Sequence, residues 1–221
     1  MSPHTLVLLG DSILDNASYT RPEPDTTEHL QRLLAPHWSV TRLARDGAGM
    51  RDVPFQLSKL KENSTAAVLS IGGNDATAHI GVLDRRVSTA AEVLEELLHI
   101  TQEFGRRYET VARAVAEHAT RTVLCTIYEV QLRPARYARL ARVPLALLNE
   151  TIIRTGARLG LDVLELRSVC TEPSDFVMQI EPSPQGAAKI AKAIAALLLD
   201  PTLLNVGRVF VAQERRDADM K

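Results

Sequence analysis

Residues 6–14 read Leu-Val-Leu-Leu-Gly-Asp-Ser-Ile-Leu, and the interpretation of the whole chain starts from them. Four apolar residues in a row are too few for a buried helix and are typical of a strand covered on both faces. Gly10 ends this run and brings Asp11 and Ser12 to the carboxyl end of the strand, where open α/β sheets bind their ligands. Ser12 is therefore a candidate nucleophile. The alternative, on these residues alone, is that Ser12 caps the turn that follows.

The composition is typical of one globular domain. The chain has 221 residues, 45% of them hydrophobic, with 26 basic and 27 acidic residues. This charge balance and an aromatic content of 4% disfavour a nucleic-acid partner. Cys125 and Cys170 fit neither a metal spacing nor a dense disulfide framework. The longest apolar stretch, Ile194–Leu199, is far shorter than a membrane span, and no signal peptide is apparent, so we expect a soluble, cytoplasmic protein.

Strands alternate with helices along the chain, which predicts a parallel sheet between two layers of helices. The expected fold is an α/β three-layer sandwich with a five-stranded parallel sheet. Residues 1–206 form its single domain, and residues 207–221 form a C-terminal tail with a short apolar stretch and then a charged end. The predicted strands are 6–9, 39–43, 66–71, 122–127 and 161–166. The predicted helices begin after Asp25 and at Asp52-Pro54, run from Ser88 to about Thr120 with Gly105 as a candidate break, cover 145–159, and begin again at Pro184.

Three strand ends carry matching polar turns: Gly10-Asp11-Ser12, Asp46-Gly47 and Gly72-Gly73-Asn74-Asp75. In a parallel sheet these turns meet at one edge. A serine hydroxyl can attack a carbonyl carbon, while a glycine N–H and an asparagine amide can donate hydrogen bonds to the oxyanion that develops. Together the turns predict an acyl-transfer site.

These blocks, in this order and at these separations, resemble the SGNH (GDSL-type) hydrolase family over roughly residues 6–199. The resemblance implies a flavodoxin-like fold and a Ser12 nucleophile. The oxyanion hole would consist of the Ser12 N–H, the Gly47 N–H and the Asn74 side chain, with Gly49 as a less favoured substitute for Gly47. No cofactor or metal is implied.

The fourth block departs from the family, whose members carry Asp-x-x-His-Pro just before the last helix. Here Glu181 stands at the histidine position and Met178 at the aspartate position. Two interpretations of Glu181 are open. It could act as a general base with its pKa raised by burial, with Asp175 helping to position the loop, or it could only stabilise the positive end of the last helix.

For the other charged residues, a functional role competes with a purely structural or surface role. His79 follows Asn74 closely and is the one histidine near the expected site, although a loop histidine without a catalytic role is favoured. Asp11, Asp75 and Glu181 could in principle hold Mg²⁺, but the two aspartates belong to the family blocks, so no metal site is expected. A loop at 128–142 carries four arginines that could bind an anionic substrate. More commonly, such arginines form a solvent-exposed surface.

Two functions compete at this point. The first is a hydrolase that cleaves carboxylic esters or thioesters of small molecules through a Ser12 acyl-enzyme, with Ser12, Gly47, Asn74 and Glu181 as its site. The second is a degenerate relative that binds a ligand or partner without turnover. Retention of the nucleophile beside two oxyanion donors favours catalysis. The sequence does not determine the acyl group, the leaving group or the oligomeric state.

Overall fold

The computed structural model describes residues 4–200 and 208–211, and its centre is a parallel β-sheet. Five strands appear first along the chain: β1 (His4–Gly10), β2 (Trp38–Arg42), β3 (Ser64–Ser70), β4 (Ala119–Cys125) and β5 (Asp162–Glu165). Two short strands, β6 (Phe176–Val177) and β7 (Glu181–Pro182), form a separate antiparallel hairpin, and β8 (Val209–Val211) returns to the main sheet. The spatial order is β2-β1-β3-β4-β5-β8, and all neighbours are parallel.

Helices cover both faces of this sheet. In chain order they are α1 (Ala17–Thr20), α2 (Thr26–Leu34), α3 (Val53–Leu57), α4 (Gly73–Thr77), α5 (Ala90–Ala116), α6 (Ala135–Leu159) and α7 (Pro184–Leu199). Side chains of β1 alternate between the two layers: Leu6 and Leu8 pack in the core with α2 and α7, while Val7 and Leu9 pack in the core with α3, α5 and α6. This burial on both faces explains why β1 reads as an uninterrupted apolar run.

The predicted three-layer α/β fold is confirmed, but the sheet has six strands where the sequence suggested five. The additional strand, β8, comes from the segment assigned to the tail, and it pairs with β5 from Val163 opposite Val209 to Glu165 opposite Val211. Three residues are too short a run to stand out in the sequence as a strand. The charged end predicted for residues 212–221 lies outside the described residues.

Two helix predictions were wrong at their boundaries. Helix α5 continues through Gly105, where a Cβ atom would lie only 2.9 Å from Cγ2 of Thr151 on α6, so this glycine allows two helices to approach closely and does not break one. Helix α6 begins at Ala135 and contains Pro144, so half of the predicted 128–142 loop is helical.

The predicted helix ends are confirmed where they depend on local chemistry. Asp25 and Glu28 form the capping box of α2. The Ser183 hydroxyl caps α7 by accepting a hydrogen bond from Gly186 N–H at 3.1 Å, and Gly160 ends α6 with a positive φ of 66°. Within residues 4–200 and 208–211, no helix has the length and apolarity to cross a membrane.

Gly10, at the end of β1, packs unusually closely against the backbone of β3. Gly10 has a φ of 125°, and a Cβ atom there would lie 1.7 Å from the Ser70 carbonyl oxygen on β3. The Gln56 side chain binds both polar groups of Gly10, accepting from its N–H and donating to its carbonyl oxygen, each at 2.8 Å. Only glycine fits here, and the position of the next residues, Asp11 and Ser12, depends on it.

We predict that Gly10→Ala lowers the free energy of unfolding by at least about 3 kcal/mol, because it adds a backbone clash to a strained φ. Gly160→Ala is the matched control: φ is also positive, but nothing lies within 4 Å of the new Cβ atom. Its expected cost is about 1 kcal/mol of backbone strain. Urea unfolding of the two variants measures the difference, and equal losses would show that the contact with Ser70 is unimportant.

Candidate active site

The predicted site residues gather around one pocket at the carboxyl edge of the sheet. Ser12 follows β1, Asn74 lies in α4 directly after β3, and Glu181 lies on β7; all three line the pocket together with Asp11. Gly47 is not among the residues that line it. The chain therefore brings together three of the four predicted residues, and Gly47 lies in a neighbouring turn.

The turn after β1 fixes Ser12 through the backbone of Asp11. The Asp11 N–H donates to the Ser70 carbonyl oxygen at 3.0 Å, and the Asp11 carbonyl oxygen accepts from Leu14 N–H at 3.2 Å and Asp15 N–H at 3.1 Å. Ser12 is 9% exposed. The candidate nucleophile therefore stands on a turn that is bonded on both sides.

Glu181 reaches the site on the β6–β7 hairpin. The tip of this hairpin contains Met178 and Gln179, with φ values of 50° and 74° that L-residues rarely adopt. Gln179 accepts two hydrogen bonds from the segment after β4, from Gln131 N–H at 2.8 Å and, through its side chain, from Arg133 N–H at 2.6 Å. These bonds hold the strained tip in place.

Tyr128 secures the hairpin from the pocket side. Its hydroxyl donates to the Ile180 carbonyl oxygen at 2.7 Å, next to Glu181, and its ring packs edge-on against Phe176 with centroids 5.0 Å apart. The sequence analysis missed Tyr128. It follows β4 just as the recognised polar turns follow their strands, so the same rule could have identified it.

The electrostatics of Glu181 suit proton transfer. Burial raises the pKa of the Glu181 carboxyl, the Ser12 hydroxyl acts on it in the opposite direction, and the Asp46 charge adds to the rise. Among residues 4–200 and 208–211, no group offers a hydrogen bond to the buried Oε2 atom of Glu181. The N-cap of α7 is Ser183, so this carboxylate is not needed as the cap.

Asp175 supports the loop and has its own partners. Its buried carboxylate accepts from Lys189 Nζ at 2.9 Å and from Glu172 N–H at 3.0 Å. Its carbonyl oxygen accepts from Ser183 N–H at 2.9 Å, which joins the loop before the hairpin to the start of α7. Asp175 thereby fixes the two ends of the segment that carries Glu181. Met178, for which the sequence predicted the family's aspartate position, is 75% exposed.

The backbone donors proposed for the oxyanion hole are free of competing acceptors. Within the described part of the chain, neither the Ser12 N–H nor the Gly47 N–H donates a hydrogen bond. The Gly49 N–H, by contrast, donates to Asp52 Oδ2 at 2.8 Å, which disfavours it as a substitute. Asn74 donates through Nδ2 to the Ala48 carbonyl oxygen at 2.9 Å, and this amide nitrogen has a second hydrogen.

The two aspartates of the family blocks occupy very different environments. Asp75 accepts from Met50 N–H at 3.0 Å and from Arg107 at 2.8 Å, so it ties the turn after β2 to α5. Asp11 is buried, and burial raises its pKa to about 8. No three His, Cys, Asp or Glu side chains within 4–200 and 208–211 are grouped to hold a metal ion.

The remaining charged candidates lie at the margin of the site or outside it. His79 is exposed and lines the pocket. Arg133, Arg136, Arg139 and Arg142 are all exposed and lie outside the pocket walls, and Arg142 pairs with Glu129 at 2.8 Å.

A family model described as the GDSL-like Lipase/Acylhydrolase family matches residues 8–189 of the chain. No curated protein matches the chain.

Several solved structures share the fold at low sequence identity. A lipase/acylhydrolase from Enterococcus faecalis is 22% identical with a TM-score of 0.63, covering 87% of this chain and 94% of that one. A phospholipase A1 from Streptomyces albidoflavus is 17% identical with a TM-score of 0.64, covering 88% and 99%. An acetylxylan esterase from Geobacillus stearothermophilus is 16% identical with a TM-score of 0.60, covering 87% and 93%. At these identities the likeness shows the fold.

We predict that Asp11→Asn changes how stability depends on pH. The carboxyl titrates near its ordinary value of 3.8 in the unfolded chain and at about 8 in the folded one, so between these values the folded state holds an extra proton. Wild-type stability therefore falls as pH rises through this range, by up to about 1.4 kcal/mol per pH unit.

The amide in Asp11→Asn can still accept from Ile13 N–H, as the carboxylate does at 3.2 Å, but it does not titrate. As pH rises from about 5 to 8, the free energy of unfolding of the variant should therefore increase relative to that of wild type. Urea unfolding at both pH values measures this. A difference that is constant with pH would contradict the raised pKa.

Proposed function

The chain belongs to the GDSL-like lipase/acylhydrolase family, and on that premise we propose that it is a serine hydrolase that cleaves carboxylic esters or thioesters of small molecules through an acyl-enzyme at Ser12. The observation that carries the proposal is the placement of Glu181, which lines the same pocket as Ser12 and whose pKa the Ser12 hydroxyl lowers. It supplies a base at the position where the family's histidine is absent.

In the first half of the proposed reaction, Glu181 accepts the hydroxyl proton while Ser12 Oγ forms a bond to the substrate carbonyl carbon. The carbonyl oxygen becomes an oxyanion, which accepts from the Ser12 N–H, the Gly47 N–H and the free hydrogen of the Asn74 amide. The carbonyl re-forms, the bond to the leaving group breaks, and the alcohol or thiol departs with the proton from Glu181.

In the second half, water replaces the leaving group. Glu181 takes a proton from this water, whose oxygen attacks the acyl carbon, and the same three donors stabilise the second oxyanion. Collapse releases the carboxylic acid and returns the proton to Ser12 Oγ. Each proton that Glu181 accepts is returned within the same half of the cycle.

Two environments at the site support this division of roles. The raised pKa of Glu181 makes it a stronger base than an exposed carboxylate. Asp11, with a pKa of about 8, is mostly neutral at pH 7 and adds little negative charge beside the developing oxyanion. Burial raises the pKa of both carboxyl groups at this pocket.

We predict that Asn74→Ala lowers kcat on p-nitrophenyl butyrate by about 100- to 1,000-fold, because one oxyanion donor is lost. The Ala48 carbonyl also loses its partner, so urea unfolding should accompany the kinetics to separate catalysis from folding. An unchanged kcat would mean that Asn74 only supports the turn at Ala48.

We predict that Glu181→Gln slows labelling of Ser12 by a fluorophosphonate by at least about 100-fold, because the amide cannot accept the proton. In wild type only the ionised carboxylate is the base, so the rate should rise with pH through the Glu181 pKa. The midpoint should lie above the ordinary value of 4.5, because burial raises this pKa.

His79→Gln separates this base from the nearest histidine and is expected to leave the pH dependence of labelling in place. Equal labelling rates in wild type and Glu181→Gln would reject the Ser–Glu mechanism. Loss of labelling in His79→Gln alone would assign the base to His79. Absence of Ser12 labelling in every form would favour the alternative, a protein that binds without turnover.

A further inference from the structure

The walls of the pocket beyond Ser12 have a chemistry that points to one part of the substrate. We propose, building on the function above, that this pocket holds an uncharged hydrocarbon acyl chain longer than acetyl, and that Ala141 on α6 limits the length of the chain. The leaving group then lies on the open side of Ser12.

Four segments of the chain supply the apolar walls. Helix α5 contributes Leu97 and Ile100, and α6 contributes Ala141, Leu145 and Leu148. The three α6 residues are spaced four and three positions apart and therefore share one face of the helix. The short helical segment 80–84 and the stretch after β4 add further aliphatic side chains. An acyl chain would be in contact with hydrocarbon on several sides.

Most polar groups of the pocket lie at the carboxyl edge of the sheet, and Thr77 and His79 are further polar residues of the lining. Asp11, Ser12, Asn74 and Glu181 come from the carboxyl edge of the sheet, and the Tyr128 hydroxyl is already bonded to the Ile180 carbonyl oxygen. None of the described residues that line the pocket is Lys or Arg. An anionic chain would find no lysine or arginine there as a counter-charge, and a sugar would leave its hydroxyls without enough partners, at a high desolvation cost.

An acetyl group would leave most of these walls unused. The favourable contribution of the pocket grows with the apolar area that it removes from water, by about fourfold in binding for each buried methylene. The acetylxylan esterase that shares the fold therefore differs from this chain in the acyl group we expect.

The position of Ala141 follows from the way α6 meets the sheet. Asn149 on α6 donates to the Ile127 carbonyl oxygen at 2.7 Å and accepts from Ile127 N–H at 2.8 Å, just after β4. Leu148 is therefore close to the sheet edge. Ala141 lies seven residues earlier, roughly 10 Å further along the helix, at the end of the pocket away from the sheet. A larger side chain there would shorten the pocket.

The test compares p-nitrophenyl acetate, butyrate, octanoate and decanoate. We expect wild-type kcat/KM for octanoate to exceed that for acetate by at least about tenfold. Ala141→Phe should lower this octanoate-to-acetate ratio by at least about tenfold. Ala146→Phe is the matched control: the same change on the same helix at an exposed position outside the pocket walls, expected to keep the wild-type ratio.

A binding measurement keeps the inference testable without turnover. Octanamide is neutral and resists hydrolysis, and its binding can be measured by ligand-observed NMR against acetamide. We expect octanamide to bind wild type and Ala146→Phe, and to bind Ala141→Phe at least about tenfold more weakly.

The outcomes separate the two proposals. Octanamide binding that depends on Ala141, without hydrolysis of any ester, would support the acyl pocket and reject the proposed catalysis. Hydrolysis that is fastest with acetate, or a ratio affected equally by the two substitutions, would overturn the acyl-chain inference and leave the hydrolase standing. Failure of octanamide to bind wild type would also overturn it.

Discussion

The contact between Gly10 and the Ser70 carbonyl oxygen sets the geometry of the active edge. Strands β1 and β3 approach so closely there that a single methyl group would overlap the neighbouring backbone. Gln56 satisfies both polar groups of Gly10, so the strand can end without unpaired buried atoms. Ser12 follows immediately, and its placement is a consequence of backbone packing. This is why a serine that is part of a short turn can be held rigidly enough to serve as a nucleophile.

The other turns at this edge are joined to one another. The Asn74 side chain holds the Ala48 carbonyl, and Asp75 holds the Met50 N–H while pairing with Arg107 on α5. A shift of any one turn would therefore disturb the next. The Ser12 and Gly47 N–H groups at this edge donate no hydrogen bond within the described residues, and donors on turns held in this way would need little reorganisation beside an oxyanion.

A glutamate in the proposed role of general base has different electrostatic requirements from a histidine. Imidazole is a base near neutrality without further adjustment, whereas a carboxylate requires burial to approach it. Glu181 is half-buried on the β6–β7 hairpin, and the tip of this hairpin contains two residues in strained left-handed conformations. The Tyr128 hydroxyl donates to the Ile180 carbonyl oxygen and the Arg133 N–H donates to the Gln179 side chain, and these bonds hold the hairpin to the segment after β4. The proposed base therefore depends on contacts distant in sequence.

Local chemistry determined what the sequence could specify by itself. Apolar runs indicated most of the strands, short-range hydrogen bonds fixed caps such as Asp25 and Ser183, and glycine turns after strands marked the predicted site. Only the tertiary structure decided the rest. Packing against neighbours keeps α6 helical through Pro144, pairing with β5 makes a strand of Val209–Val211, and the hairpin brings Glu181 to Ser12. These outcomes depend on partners far away in the chain, and no local pattern encodes them.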